Sequence, residues 1–140
     1  VYVAVVGGHP VPPHGRIEGS LARSSANRQK MAIVAEGRGK HAVTHYRTVT
    51  ALADAAKIEC RLETGRTHQI RVHLAAIGTP VCGDPTYGSS GAYGLARQFL
   101  HAQRLTFAHP ITAAALDLWS PLPEDLARAL ELAEAEGRRS

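Results

Sequence analysis

The chain has only two cysteines in 140 residues, Cys60 and Cys82, both in apolar settings. With no secretory leader in the sequence, they are expected to be reduced, packed thiols rather than a disulfide. No apolar run approaches the ~20 residues that a membrane-spanning helix needs. The opening Val1-Tyr2-Val3-Ala4-Val5-Val6 carries neither a basic leader nor a cleavage site, so it does not read as a signal peptide, and a cytoplasmic setting is expected. His-Glu-x-x-His and paired Cys-x-x-Cys patterns are missing, and so are Gly-x-Ser-x-Gly and a Walker-type loop. His68 and His73 stand five apart, off the i, i+4 spacing that would put two ligands on one helix face. No metal site is therefore expected. Cys82, close to Asp84, could be drawn as a nucleophile, but Thr79-Pro80-Val81-Cys82 reads as a buried connector.

The composition is that of a folded domain, 44% hydrophobic and 20% charged, and the length fits one domain with a real core. Lys and Arg number 16 against 12 Asp and Glu, a net charge of +4. Glu124, Asp125, Glu131, Glu134 and Glu136 crowd into the last segment, so the part before residue 110 is more basic than the total. That excess points mildly to a polyanionic partner.

The densest feature is Arg61-Leu62-Glu63-Thr64-Gly65-Arg66-Thr67-His68-Gln69-Ile70-Arg71-Val72-His73. Before it, Lys57 to Glu63 alternates, with Ile58, Cys60 and Leu62 on one side, which predicts a strand with one wet face. After the Thr64-Gly65 break the period turns helical, with Ile70, Leu74 and Ile77 at i, i+4 and i+7, Thr67 as N-cap and Gly78 just past the end. Arg66 falls at the helix entrance, where free amides and the helix dipole favour an anion. Arg71 lies one turn in, among Ile70, Val72 and Leu74. A partly buried arginine there needs a carboxylate, either Glu63 or one from elsewhere in the fold.

Elsewhere the pattern predicts strands over Tyr2 to Val6, Ala42 to Val49, His101 to Phe107 and Ala114 to Trp119, the last two joined by a turn at His109-Pro110. His9 to Arg16 reads as loop, Ile17 to Arg23 as a short extended piece, Ser24 to Lys30 as an exposed basic loop, Met31 to Val34 as a short apolar piece and Ala51 to Ala56 as a turn. Gly83 to Gly94 reads as a glycine-rich loop. Pro121 to Asp125 opens a final helix with Leu126, Ala129, Leu130 and Ala133 as its buried stripe and Gly137 at its end. The fold class expected is α+β, a mainly antiparallel, mixed sheet with helices packed on it, in one domain.

The stretch Glu63 to His73, followed by Gly78-Thr79-Pro80 and Gly83-Asp84-Pro85-Thr86-Tyr87-Gly88, resembles the third motif of the RluA-type pseudouridine synthases, and among them the RluD-like enzymes of large-subunit rRNA. Tyr2-Val3-Ala4-Val5-Val6-Gly7 resembles the family's tyrosine strand, Gly39 to Arg47 its following strand, Leu100 to Leu105 with His109-Pro110 its late hairpin, and Pro121-Leu122-Pro123 the entry to its last helix. The resemblance implies an isomerase without a cofactor that detaches uracil from ribose and rejoins it through carbon. RNA is the implied partner, ribosomal RNA first and transfer RNA second, with the target nucleotide flipped out and no membrane involved. By motif position Tyr2 would pack against the base and Arg71 would pair with an essential Asp. Arg66 and His68 would lie at the rim near RNA. Arg28, Lys30 and Lys40 are further RNA-binding candidates.

The essential Asp belongs to a His-Arg-Leu-Asp segment that this sequence does not contain. Asp54, Asp84, Asp117 and Asp125 stand in other contexts. The expectation is therefore the C-terminal portion of a catalytic domain, continuing upstream of Val1, inactive by itself, with Arg71 lacking its carboxylate. The alternative is a non-catalytic RNA-binding domain that keeps the fold.

Overall fold

The computed structural model describes residues 1–88, 91–108, 111–112 and 115–139; the turn expected at His109-Pro110 lies outside the described residues. An inner strand of the main sheet is β1 (Tyr2–Gly7), whose Val3, Ala4, Val5 and Val6 are all buried. A strand apolar on both faces belongs in the middle of a covered sheet. β5 (Val43–Ala51) and β6 (Ala55–Leu62) form a hairpin alongside it, β2 (His14–Glu18) pairs with β5, and β7 (Leu100–Ala102) pairs with β1. The order is β2-β5-β6-β1-β7, and each pairing is antiparallel. The α+β expectation holds, with an antiparallel rather than a mixed sheet. In β6 the alternation also holds: Ile58 and Cys60 are buried while Arg61 is exposed.

Two expected segments divide. The piece Ile17 to Arg23 breaks at Gly19, giving the end of β2 and a separate β3 (Ser20–Arg23) that pairs with β4 (Met31–Val34) in a two-stranded ribbon. β2 itself begins at His14, inside the expected loop, because an edge strand tolerates the nearby prolines and glycine. The piece His101 to Phe107 breaks at Gln103, where the amides of Gln103 and Arg104 both donate to the Val1 carbonyl. Beyond the break, β8 (Arg104–Ala108) pairs with β9 (Ala115–Trp119).

Helix α1 (Gln69–Ala76) starts later than the sequence suggested. His68, not Thr67, is its N-cap residue; it adopts φ 56°, ψ 19° and offers no side-chain cap. The Gln69 side chain instead ties down the turn before the helix, its Oε1 accepting the Arg66 amide at 3.0 Å and the Thr64 hydroxyl at 2.7 Å. Gly78, at φ +86°, does end the helix, with its amide donating to Ala75 O and that of Thr79 to Leu74 O. α1 is not a surface amphipathic helix: all six residues from Gln69 to Leu74 are buried. Ile70 and Leu74 enter the main core with β1, β6 and Leu126, while Val72 joins a second cluster with Leu21 and Ala42. The helix α2 (Glu124–Arg139) buries Leu126, Ala129 and Ala133 as expected, but runs past Gly137. One glycine costs a helix about 1 kcal/mol, too little to end it alone. Among the described residues, no helix is long and apolar enough to cross a membrane.

Gln69 and His73, buried inside α1, are satisfied by one network. Thr44 Oγ1 lies 2.8 Å from His73 Nδ1, Gln69 Nε2 donates to Thr44 Oγ1 at 3.0 Å, and His73 Nε2 lies 3.2 Å from the Gly19 carbonyl. The carbonyl can only accept, so His73 carries its proton on Nε2 and receives the threonine hydroxyl at Nδ1. Burial pushes the His73 imidazole below its ordinary pKa, with the Gly19 bond acting weakly the other way. A histidine depressed in the folded state takes up its proton more readily when unfolded. Its stabilising contribution is present above the unfolded value of about 6.5 and is lost as pH falls through the window below it. Urea unfolding at stepped pH should show stability declining from neutrality toward pH 5, with at most about 1.4 kcal/mol per pH unit from this one group. A flat profile would contradict the neutral, buried assignment.

Candidate active site

Tyr2 begins β1, Arg71 is the third residue of α1, and Arg66 and His68 occupy the turn between β6 and α1. The fold gathers all four around one cleft of about 260 Å3, together with Leu62, Gln69, Ile70, Gln98 and Leu100. Tyr2, the stretch from Leu62 to Arg71, and Gln98 with Leu100 are far apart in sequence. They meet because β1 and β6 are neighbours, with Tyr2 paired to Cys60, and because the chain turns from β6 directly into α1. The cleft adjoins two others. One of about 650 Å3 shares Tyr2 and Leu62 and adds Arg61 and Arg104. The other, about 400 Å3, shares Arg66 and adds Arg23 and Lys40. Basic side chains stand on both sides of the Tyr2–Arg71 cleft, although Glu63 also lines the first groove and Arg104 there is paired with Asp117. A further cleft of about 540 Å3 beside α2 has Asp54 and Glu136 as its charged residues, which does not suit a polyanion.

Arg71 is held differently from the expectation that it lacks a carboxylate in this chain. Its Nε donates to Asp84 Oδ2 and its Nη2 to Asp84 Oδ1, both at 2.8 Å. The side chains are 10% and 0% exposed. Glu63, the local candidate, is turned away and bonded to His45 at 2.6 Å. Asp84 Oδ1 also accepts the amides of Thr86 at 2.9 Å and Tyr87 at 3.1 Å. Burial would raise the Asp84 carboxyl, but the Arg71 bond and then these amides outweigh it and leave it below the usual carboxylate range. The side-chain bond to Asp84 in turn raises Arg71, against burial. Among the described residues Arg71 Nη1 donates to no group, and Arg71 lines the cleft.

Arg66 is half-buried, and its Nε donates to the His41 carbonyl at 2.9 Å. Its amide is not free for an anion, since Gln69 Oε1 takes it. What it offers is the outer face of its guanidinium, between two clefts. Lys40 lines the neighbouring groove, and Lys30 Nζ lies 5.5 Å from the ring centre of Tyr87. Arg28 is exposed in the loop after β3 and lines none of these clefts. Sequence reasoning missed Asp84 as a partner, and it missed Arg23, Tyr87 and Gln98. Asp84 and Tyr87 stood in a motif already singled out; the missing signal was the loop path that folds 84–87 back over α1. Both cysteines are buried and unpaired. Burial, followed by the charge of Glu136, pushes the Cys82 thiol up to about 11, which makes it a poor nucleophile.

The family model for RNA pseudouridylate synthase matches residues 1–76. The chain belongs to this family. It is 52% identical over 133 residues to ribosomal large subunit pseudouridine synthase D of Zymomonas mobilis subsp. mobilis, covering 89% of this chain and 42% of that protein. It is 45% identical over 140 residues to an uncharacterized RNA pseudouridine synthase of Mycobacterium tuberculosis, covering 97% of this chain and 45% of that protein. Among solved structures, human RNA pseudouridylate synthase domain containing 1 superposes with a TM-score of 0.72 at 30% identity, over 87% of this chain and 54% of that one. The chain therefore spans less than half the length of the curated relatives it matches.

Proposed function

We propose that this chain is the C-terminal portion of a catalytic domain that isomerises uridine to pseudouridine in RNA, with large-subunit ribosomal RNA as the substrate. The observation that carries this reading is the joining of Tyr2, Arg66, His68 and Arg71 at one cleft flanked by basic grooves. In the reaction the N1–C1′ bond of uridine breaks and a C5–C1′ bond forms; C5 gives up a proton and N1 gains one. Nothing is oxidised or reduced, so no cofactor is needed. The target nucleotide enters the cleft flipped out of its stack. Tyr2 packs against its base, while Arg66 and the groove residues Arg23 and Lys40 hold flanking phosphates. Arg71 uses its Nη1 edge to hold the essential Asp of the family's His-Arg-Leu-Asp segment, which lies outside this sequence.

Asp84 does not take that Asp's place. It is fully buried, and its oxygens are engaged by Arg71, Thr86 and Tyr87. The 140-residue chain alone is accordingly inactive. The test is a uridine-isomerisation assay on ribosomal RNA with the complete protein, the 140-residue chain, and the Arg71→Ala and Arg66→Ala variants of the complete protein. The complete protein should turn over and the chain should not. Arg71→Ala should remove turnover more than it weakens RNA binding. Arg66→Ala should weaken binding and reduce the salt slope by about one lost phosphate contact. Robust turnover by the chain alone, or near-normal turnover by Arg71→Ala, would overturn the assignment. RNA binding by the complete protein without any isomerisation would favour the non-catalytic alternative.

A further inference from the structure

Tyr87 stands behind the cleft and is not one of the groups that line it. Its hydroxyl receives the Met31 amide at 2.8 Å and lies 2.8 Å from His68 Nδ1. The rings of His68 and Tyr87 meet edge to face, 5.5 Å between centres. The Arg71 guanidinium sits 5.2 Å from the Tyr87 ring centre, and Lys30 is also against that ring. One phenol therefore touches the turn, the helix and the β3–β4 ribbon together. Its amide closes the group by donating to Asp84, the same carboxylate that holds Arg71.

The donors around the phenol favour one protonation of His68. The Met31 amide can only donate, so the phenol oxygen is its acceptor. The phenol has one hydrogen, and among the described residues His68 Nδ1 is the only acceptor placed to take it. The phenol oxygen has room for a second donor, but that would leave its own hydrogen without an acceptor among the described residues; the arrangement that uses every hydrogen has His68 Nδ1 accepting and the imidazole proton on Nε2. Nε2 has no partner among the described residues and is not sealed from solvent, while the imidazole lines the cleft beside Tyr2 and Arg71. The backbone of His68 is in the left-handed region, at φ 56°. A non-glycine residue stays there when its surroundings hold it, and such conformations gather at functional sites.

We propose that Tyr87 is a positioning residue that fixes His68 in its Nε2–H tautomer, so that the imidazole presents an N–H donor to an oxygen acceptor of the nucleotide bound in the cleft. The part of this that concerns the nucleotide rests on the RNA reading above; the tautomer does not. The environment agrees with a neutral ring. Burial lowers the His68 pKa and the charge of Arg71 lowers it further; Asp84 pulls in the opposite direction, and Arg23 adds a smaller lowering. A neutral histidine with a fixed tautomer is a directional donor rather than a second diffuse positive charge beside Arg71.

The test combines a spectroscopic readout with turnover in the complete protein. Long-range 1H–15N correlation of 15N-histidine-labelled protein should show His68 protonated at Nε2 and bare at Nδ1. Tyr87→Phe keeps the ring against Arg71 and Lys30 but removes the hydroxyl. It should lose the single tautomer and lower kcat/KM about tenfold, the order expected for one hydrogen bond at a positioned group. His68→Asn is tolerated at positive φ and supplies a shorter donor. In that background Tyr87→Phe should have little further effect on kcat/KM, because the bond to His68 is already gone, while the lost Met31 bond is read separately as stability. A proton on His68 Nδ1 in the unsubstituted protein would overturn the proposal, and that measurement does not depend on any variant folding. So would an unchanged tautomer in Tyr87→Phe, or additive losses in the double variant. If the complete protein shows the tautomer but isomerises no uridine, the reaction assignment fails and the role of Tyr87 toward His68 stands.

Discussion

Replacing Asp84 with alanine is expected to cost about 3–5 kcal/mol of stability, because it leaves the buried Arg71 guanidinium without its counter-charge. The pair is well shielded, with Asp84 fully buried and Arg71 nearly so. The loss also frees the amides of Thr86 and Tyr87, which now donate to the same carboxylate. Chemical denaturation of Asp84→Ala should show a large fall in midpoint. The double variant Arg71→Met with Asp84→Leu should recover much of it, since exchanging a buried ion pair for apolar groups of similar volume is often neutral or better. A loss under about 1 kcal/mol in the single variant would mean that water or another carboxylate reaches Arg71. The direction with acid follows from the depressed carboxyl of Asp84. Its contribution is present above the unfolded carboxylate value of about 4 and is lost as pH falls through the lower folded value.

Gly83→Ala is expected to destabilise the protein by about 2–5 kcal/mol, combining left-handed backbone strain with overpacking. Gly83 has φ +76°, and a Cβ there would overlap the Arg97 carbonyl oxygen and come within 2.8 Å of the Leu95 Cβ. Gly78→Ala is the control that separates the two causes. It has φ +86°, but a Cβ added there would meet nothing within 4 Å, so only the strain of about 1–2 kcal/mol should appear. Thermal or urea unfolding of the two variants reads the difference. Equal losses would show that the Leu95–Arg97 segment moves aside freely. The position matters to the site because Gly83 immediately precedes Asp84. The close approach of residues 95–97 fixes where the 84–87 loop folds back onto α1.

The strands of this protein were legible wherever side-chain alternation coincided with burial on one face, as in β6. β1 was legible for the opposite reason, an unbroken apolar run buried on both faces. The errors fall where pairing rather than periodicity decides. Nothing local distinguishes Gly19 or Gln103 as breaks; they become breaks because the chain passes there from the five-stranded sheet to a two-stranded ribbon. Helix α1 was found by its 3.6 period, yet its start was misplaced, since His68 enters it in the left-handed region and no Ser, Thr, Asp or Asn side chain caps it. At the site, the sequence indicated that Arg71 needs a carboxylate but not which one. Thirteen positions separate Arg71 from Asp84, and only the loop that returns over the helix brings them together.

The Gln69 amide has a consequence for how RNA would be met. Its oxygen receives Thr64 and Arg66, and its nitrogen donates to the Val43 carbonyl and Thr44 hydroxyl, so β5, the basic turn and the start of α1 are riveted at one point. Both ends of the amide are committed, and exchange for glutamate would set a carboxylate against two acceptors. A turn fixed in this way has little conformational freedom to lose when a nucleotide arrives. On the proposed function, the speed of encounter would then be governed by the reach of the surrounding positive field and the salt that screens it, not by the time needed for the turn to find its shape.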